Sequence, residues 1–504
     1  MTDHVTLAGR RWTPKGRYEP WLVRDLTDLS QAPMSDDEFF ARRREVLARW
    51  PTGREIEDLD GCIAYARSLG PRRFSAWCYL NAEEKEKPSV QTGSGESTIE
   101  KQYLDYRLTE EAGAGHLSLI TDTYTRRCRY EEAQKMLERA EATGEDLLNG
   151  FPLVNYGAGA VRRGLVERLT LPIGATTAHT ESPLLGCEIG LATGIDTGGT
   201  GFVELIEHSR DYPPEQKIKD GQYRYRLVAK YNEAGVYAGL LSSTNLTGYA
   251  IPAVSLSLAI MEMMLAAAQG VRYVGLYVNL RNHLVQDVAA QRVARRLLPE
   301  YLARIGCPDA VVTSIGSWAY EGEWPRQQEK AWSLVAWTAI TACLAGADWM
   351  KLKTPAEALN VPAAELKAAT IRMACYLRTI LRGQRLPISD DLLEEEAMIE
   401  LGTRAIIDRT LELGDGDLAR GMIRAVEAGV IDVPFSPWVY LGNRTLVARD
   451  AQGAQRLVDP GHLPLPEKVL AYERGRMRER TSRDAITDDL ELVMEDVHYF
   501  AGIP

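Results

Sequence analysis

The pattern of apolar and polar positions changes along the chain near residue 88. From Pro88 onward, short β-rich runs that end in Gly, Thr or Ser alternate with longer amphipathic segments. This alternation is typical of βα units on a parallel sheet. Nine runs are candidate strands: Ser89–Thr92, His116–Thr123, Pro152–Gly157, Leu169–Thr177, Gly194–Gly201, Val236–Ser243, Arg272–Val278, Asp309–Ile315 and Asp348–Lys353. A (β/α)8 barrel needs eight strands, so one of the nine is a loop or an extra strand.

The spacing of these units predicts an α/β fold, a TIM (β/α)8 barrel with an N-terminal helical extension and a C-terminal α/β extension. An open doubly wound sheet is less favoured, because the chain has no strong dinucleotide fingerprint. Residues 1-85 are charged, Trp-rich and mostly helical in pattern, and Ser35–Trp50 begins with a helix-capping signal. We expect the barrel in residues 86-430 and an extension that packs on it in residues 431-504.

Composition and charge narrow the class of protein. The 504 residues are 45% hydrophobic and 26% charged, as in globular proteins. A net charge of -11 argues against nucleic acid or an anionic membrane as a partner. The longest apolar run, Ala253–Ala268, is too short and too polar to span a bilayer. Seven cysteines without a C-x-x-C pair, and an N-terminus without a signal peptide, predict a cytoplasmic protein.

Common catalytic motifs do not explain the chain. The seven histidines never stand at metal-ligand spacing, so we expect no metal site from this chain. A G-x-S-x-G elbow and a phosphate-binding P-loop are both missing from the sequence. Of the histidines, His179, near Glu181 at a strand end, is best placed for a pocket. The Gly-rich strand ends, such as Gln91–Gly95, either terminate strands or allow a large flat ligand to approach.

The segment from Lys351 to Ala358 has two interpretations. As structure, a strand ends and a helix begins, with Thr354 as N-cap, Pro355 in the first turn and Glu357 completing a capping box. In the functional interpretation, the Lys353 ammonium and the Glu357 carboxylate lie at a strand end and bind the hydroxyls of a ribose. The pattern alone favours the structural interpretation.

Several segments resemble, in order and spacing, the large subunit of glutamate mutase (methylaspartate mutase). The resemblance covers about residues 86 to 500, and the residues before it have no counterpart that we can place. The matching segments are Asp122–Arg126, Leu147–Gly157, Gln286–Ala290, Lys353–Glu357, Gly383–Ser389, Glu412–Ala419 and Gly429–Pro437. So many collinear matches make the resemblance specific.

The resemblance implies a TIM barrel whose mouth receives adenosylcobalamin (coenzyme B12) for a radical isomerisation. In that family a separate small cobalamin-binding subunit with a D-x-H-x-x-G motif carries most of the cofactor; this chain lacks the motif. The expected assembly is a homodimer of large subunits capped by small ones. Carried over by position, the cofactor-facing residues are Gly95, Asn149, Trp324, Lys353, Glu357 and Val361. Lys353 and Glu357 would hold the adenosyl ribose, and Trp324 replaces another aromatic residue.

The substrate side departs from the family pattern. The family's three arginines, which hold both carboxylates of glutamate, fall on Gly93, Glu145 and Thr177. The family's substrate-contacting glutamate and two tyrosines fall on Thr197, Val203 and Glu207, and a further family glutamate falls on Leu241. Acidic residues at a carboxylate site repel a dicarboxylate. We therefore expect a substrate other than glutamate, with a cationic group or a masked carboxylate.

Two alternatives remain open at this point. In the first, the barrel has lost cobalamin and performs polar chemistry with Glu145, His179 and Glu207. In the second, the chain is a non-catalytic assembly subunit beside another, arginine-bearing large subunit.

Overall fold

The computed structural model describes residues 5–7, 10–12, 26–176, 182–198, 201–244, 250–484 and 488–501. The chain begins with a small hairpin, β1 (Val5–Leu7) and β2 (Arg10–Trp12), followed by the helices α1 (Asp36–Leu47), α2 (Leu59–Ser68) and α3 (Ser75–Asn81). The predicted capping signal is confirmed, because Ser35 and Glu38 form a capping box at the start of α1.

Eight parallel strands form the barrel predicted from the sequence. They are β3 (Ser89–Ser94), β4 (Leu117–Ile120), β5 (Ile173–Thr176), β6 (Asp196–Gly198), β7 (Leu240–Ser243), β8 (Tyr273–Asn279), β9 (Val311–Trp318) and β10 (Trp349–Leu352). The order in the sheet is β6-β5-β4-β3-β10-β9-β8-β7. The two ends meet where the Gly239 N–H donates to the Asp196 carboxylate, 3.2 Å away.

The ninth candidate strand, Pro152–Gly157, is wrong, because it belongs to the helix α7 (Leu153–Gly164). A short apolar run cannot by itself distinguish a buried strand from a buried helix. Gly157 contributed to the error: its φ of 72° interrupts the helix, as a strand-ending glycine would. A side chain there would also clash, since a Cβ would lie 2.6 Å from the Glu55 carboxylate.

Helices follow every strand and surround the sheet. They are α4 (Ile99–Glu111), α5 (Thr123–Arg126), α6 (Tyr130–Thr143), α7, α8 (Leu184–Ala192), α9 (Phe202–His208), α10 (Pro214–Glu233), α11 (Pro252–Ala268), α12 (Leu284–Arg304), α13 (Gln328–Ala345) and α14 (Ala364–Ile380). The apolar run of α11 is buried almost all round, because α15 (Asp390–Leu413) covers it from outside. Within the described ranges, no helix has the length and apolar character needed to cross a bilayer.

Helix α3 closes the amino-terminal end of the barrel. Its Tyr79 hydroxyl lies 2.7 Å from Nδ1 of His116, and Oγ of Ser75 lies 3.3 Å from Nε2. The Ser75 N–H donates to Asp196, the first residue of β6. Burial lowers the pKa of His116 to about 3, so the ring is neutral near pH 7. The N-terminal segment therefore completes the barrel core as well as preceding it.

The C-terminal segment packs on the outer helices. After α15 and α16 (Leu418–Glu427), the strands β11 (Leu446–Arg449) and β12 (Gln455–Asp459) form a hairpin, and α17 (Glu467–Asp484) and α18 (Asp489–Val497) end the described chain. Arg456 of the hairpin forms a buried bidentate pair with Glu395 of α15. These contacts fit the expected extension, while the exact domain boundaries at 85 and 430 stay predictions.

Candidate active site

A pocket of about 470 Å³ lies at the carboxyl-terminal ends of the strands, where barrel enzymes place their chemistry. Gly93 of β3, Ile120 of β4 and Trp318 of β9 form part of its wall. Its ionisable lining residues are Arg126, Glu207, His208, Glu321, Lys351, Lys353 and Glu357. We call this cavity the mouth pocket.

Lys353 is held between two carboxylates at the mouth. Its ammonium lies 2.9 Å from Glu357 and 2.9 Å from Glu321. Burial opposes the charge, but the two carboxylates prevail and raise the pKa of Lys353 above its ordinary value. The ring of the buried Trp324 lies 5.9 Å from the same ammonium, and its indole N–H donates to the Tyr320 carbonyl. The ammonium can donate hydrogen bonds to neighbouring hydroxyls, and the carboxylates beside it can accept hydrogen bonds from them.

The capping interpretation of Glu357 is wrong. After Thr354 the chain forms turns, in which the Glu357 N–H donates to the Thr354 carbonyl, and the next helix, α14, begins at Ala364. The sequence signal misled because Pro355 and Glu357 suit a helix start, whereas Pro362, just upstream of α14, stands nearer the real one. The Glu357 carboxylate is thereby available for Lys353.

Three other predicted cofactor residues line one groove beside the mouth pocket. Gly95, Asn149 and Val361 border this groove of about 1160 Å³, which adjoins the mouth pocket at Pro362. Gly95 cannot carry a side chain, because a Cβ would lie 2.4 Å from the Ile120 carbonyl oxygen. Val361 is 63% exposed at the edge of this groove.

The predicted substrate residues do not all meet. Gly93 and Glu207 line the mouth pocket, whereas Val203 is buried in the core on α9. Glu145 is exposed after α6 and lines neither the mouth pocket nor the groove.

The remaining sequence predictions fall elsewhere. Thr197 lies in β6, with a side chain that is not described, while Thr177 and His179 lie outside the described residues. Leu241 lines a smaller cavity lower in the barrel.

Two cationic residues of the mouth pocket were not among the site residues predicted from the sequence. Arg126 ends the short helix α5 directly after β4, and Lys351 belongs to β10. Arg126 had a signal, because it closes the quoted segment Asp122–Arg126 beyond a strand end. Lys351 had none, since a lysine inside a strand pattern normally faces solvent.

The described lining of the mouth pocket has no excess of positive charge. Its cationic residues are Arg126, Lys351 and Lys353, and its acidic residues are Glu207, Glu321 and Glu357. Burial and the nearby Arg126 lower the pKa of His208 to about 4, so His208 adds no charge near pH 7. Burial likewise lowers the pKa of Lys351 to about 7, so this lysine is only partly charged near pH 7 and the described lining is neutral to slightly negative.

Comparison with known proteins matches residues 72–502 to the family described as the Methylaspartate mutase E chain. The glutamate mutase epsilon subunit of Desulfitobacterium hafniense is 38% identical over 476 residues, covering 94% of this chain and 97% of that protein. The epsilon subunit of Treponema denticola is 33% identical, covering 92% and 95%. That of Halobacterium salinarum is 32% identical, covering 92% and 96%. The match begins at residue 72, so it includes α3, which the sequence resemblance had left out.

Proposed function

Because the chain belongs to the methylaspartate mutase E chain family and is an isomerase, we propose that it is the large subunit of an adenosylcobalamin-dependent mutase. In this proposal it rearranges the carbon skeleton of a substrate other than glutamate, and it works with a small cobalamin-binding subunit. The observation that carries the proposal is the ammonium of Lys353, held by Glu357 and Glu321 beside a large open groove.

The described residues fit the adenosyl part of the cofactor. A ribose offers two hydroxyls, which suit an ammonium donor and a carboxylate acceptor 2.9 Å apart. Gly95 and Asn149 border the groove where a broad, flat ring system has room. When bound, the cofactor supplies the radical chemistry that starts the rearrangement.

The chain's own residues bind, orient and shield. Lys353 and Glu357 would fix the ribose at the strand ends, and the Trp324 ring lies 5.9 Å from the Lys353 ammonium. The Gly95 backbone would allow close approach, and its loop is fixed because the neighbouring Glu96 pairs with the buried Lys367 at 2.9 Å. The apolar walls at Ile120 and Trp318 would exclude water from reactive species.

The partner follows from what this chain lacks. It carries no D-x-H-x-x-G segment, so another chain would supply the lower cobalt ligand and most corrin contacts. The exposed Val361 at the groove edge suits burial under such a partner. We propose a homodimer of large subunits with a small subunit over each barrel mouth.

A neutral substrate suits the charge balance of the mouth pocket. Glutamate brings one net negative charge at pH 7, while the described lining holds three carboxylates against Arg126, Lys353 and a partly charged Lys351. An amino acid with an uncharged side chain is a zwitterion and leaves this balance intact. Residue 93 also cannot bind a substrate carboxylate as an arginine side chain would, because it is Gly93. Masking the side-chain carboxylate of a glutamate-like substrate, for example as an amide, gives the expected class.

The proposal is tested by cofactor binding. The purified chain, the small subunit and their mixture are each dialysed against adenosylcobalamin, and bound cobalamin is measured by absorbance. We expect tight binding by the mixture and weak binding by this chain alone. Tight stoichiometric binding by this chain alone contradicts the two-subunit model. No binding by the mixture favours the cobalamin-independent barrel enzyme instead.

A further inference from the structure

Lys351 is a buried cation without a described counter-ion. Its side chain, in a residue only 6% exposed, lines the mouth pocket and a smaller cavity of about 50 Å³ directly below. Within the described ranges, no carboxylate lies within 4.0 Å of its ammonium and no hydrogen bond satisfies it. Glu321 attracts it only at longer range, and Lys353 repels it.

The aromatic groups around Lys351 hold its ammonium in place without neutralising its charge. The ammonium lies 3.7 Å from the centre of the Trp318 ring, and Trp318 stacks on Tyr277 at 4.6 Å. Aromatic faces stabilise a cation without pairing its charge. The amine thus keeps its hydrogen-bonding capacity for something that enters the cavity.

Gly93 makes room for this lysine. A Cβ at position 93 would lie 2.6 Å from Cδ1 of Ile120 and 3.6 Å from Cε of Lys351. A long side chain on β3 would therefore compete with Lys351, on the neighbouring strand β10, for the same space. Lys351 on β10 therefore occupies space that a long side chain at position 93 on β3 would need.

We propose that Lys351 is the residue that binds the carboxylate of the substrate in the mouth pocket. This inference rests on the proposed function for the identity of the reaction, but not for the binding itself. A carboxylate would supply the missing charge and accept the hydrogen bonds of the amine. The low-dielectric walls at Ile120, Tyr277 and Trp318 strengthen that attraction relative to water. One such site binds one carboxylate, so it favours substrates with a single carboxylate.

The test uses the full-length chain without cobalamin and two probes of equal shape, butyrate and butyramide. Binding is measured by saturation-transfer NMR titration. We expect saturable butyrate binding that Lys351→Met weakens roughly tenfold to a hundredfold, the loss of a charged hydrogen bond. Butyramide should bind less well than butyrate, and the substitution should change its binding little. Lys351→Arg, which keeps the charge, should retain part of the butyrate affinity if the cavity admits it.

Lys330→Met is the matched control, because Lys330 is exposed on α13, away from both cavities. It should leave butyrate binding unchanged. Equal butyrate binding by the wild-type chain and Lys351→Met overturns the inference, as does a lack of saturable butyrate binding by the wild type. Failure of the cobalamin proposal is separate, since it appears only when the small subunit and adenosylcobalamin are added.

Discussion

The Lys353 ammonium lies 2.9 Å from the Glu357 carboxylate across a turn in which the helix predicted from the sequence does not form. This relationship separates two roles that the sequence could not separate. A capping carboxylate stabilises a helix, whereas a carboxylate that holds an ammonium at a cavity wall prepares a binding site. The structure rules out the capping role, and the binding role of Glu357 stays a prediction.

Lys353→Met and Glu357→Gln should therefore weaken cofactor retention, and Glu357→Gln should do so with little loss of stability. Each removes a charge-assisted contact to the ribose, worth about 1.5–3 kcal/mol, or roughly 10- to 100-fold in affinity. Glu357 is 39% exposed, so its loss should change the free energy of unfolding by less than about 1 kcal/mol. Equilibrium dialysis of the two-subunit complex measures affinity, and thermal unfolding of the chain measures stability.

Lys330→Met again serves as the control, and it should change neither quantity. An unchanged adenosylcobalamin affinity in Lys353→Met would mean that the ribose contact is assigned to the wrong residue. A large loss of stability in Glu357→Gln would restore a structural role for that carboxylate.

The fold was predictable because strand spacing and helix amphipathicity are properties of local sequence. The apolar run at Pro152–Gly157 failed because six residues fit either a buried strand or a buried helix turn, and only tertiary packing against Glu55 decides between them. Family resemblance placed Lys353 correctly at the strand ends. It could not place Glu145, which lies in a loop where position along the chain says little about position in space.

Lys351 could not be predicted for a different reason. Burying a lysine without a described anion costs free energy, so no propensity or pattern rule expects it. Its position depends on a glycine on the next strand, Gly93, and on an aromatic ring at the end of another, Trp318. Such a site depends on contacts among three strands far apart in sequence.

The stability of the chain should depend on pH through Lys351. Burial lowers its pKa to about 7 from the ordinary value of 10.5, while Glu321 and Lys353 act more weakly and in opposite directions. Between pH 7 and 10.5 the unfolded chain binds more protons, so this residue makes stability rise with pH in that window. The destabilisation is fully present below pH 7. Lys351→Met should remove it, and the effect should reach a few kcal/mol at most.

Urea unfolding of both proteins from pH 6 to 10 measures this difference. The gain in stability from Lys351→Met should be largest near pH 6 and shrink as the pH rises. The other titratable groups that face the two cavities are Tyr79, His116, Arg126, Asp196, Glu207, His208, Tyr277, Glu321, Lys353 and Glu357. Lys351 also lowers the pKa of His116, but His116 titrates near pH 3, outside the range of this measurement. A stability difference that does not vary with pH would show that Lys351 stays charged in the folded chain.

Tyr79→Phe should destabilise the barrel from its closed end without touching the mouth pocket. The substitution leaves Nδ1 of the buried His116 without its partner at 2.7 Å, which costs about 1–3 kcal/mol. Cofactor affinity should stay unchanged, because α3 lies at the amino-terminal end of the strands. Thermal unfolding and dialysis measure the two effects. Tyr65→Phe is the control: its hydroxyl bonds to the exposed Glu167, so it should cost little.

Glutamate should be a poor substrate of the complete complex, although the relatives are named glutamate mutase subunits. Its second carboxylate adds an unmatched negative charge to a mouth pocket whose described lining has no excess of cations, and Glu207 repels it further. Two like charges about 4 Å apart repel by about 4 kcal/mol at an effective dielectric of 20. Glutamine has the same carbon skeleton with its side-chain carboxylate masked, so it should bind more tightly than glutamate.

The complex with adenosylcobalamin is incubated with each amino acid, and the paramagnetic signal of cobalt(II) coupled to an organic radical is recorded together with product formation. We expect the signal with glutamine or another amino acid of uncharged side chain, and no conversion of glutamate to 3-methylaspartate. Robust conversion of glutamate would mean that Lys351 and Arg126 together hold both carboxylates, because these are the described mouth cations outside the Lys353 cluster. Lys351→Met would then abolish glutamate turnover. If Lys351 instead binds the single carboxylate of the expected substrate, Lys351→Met removes the paramagnetic signal obtained with glutamine.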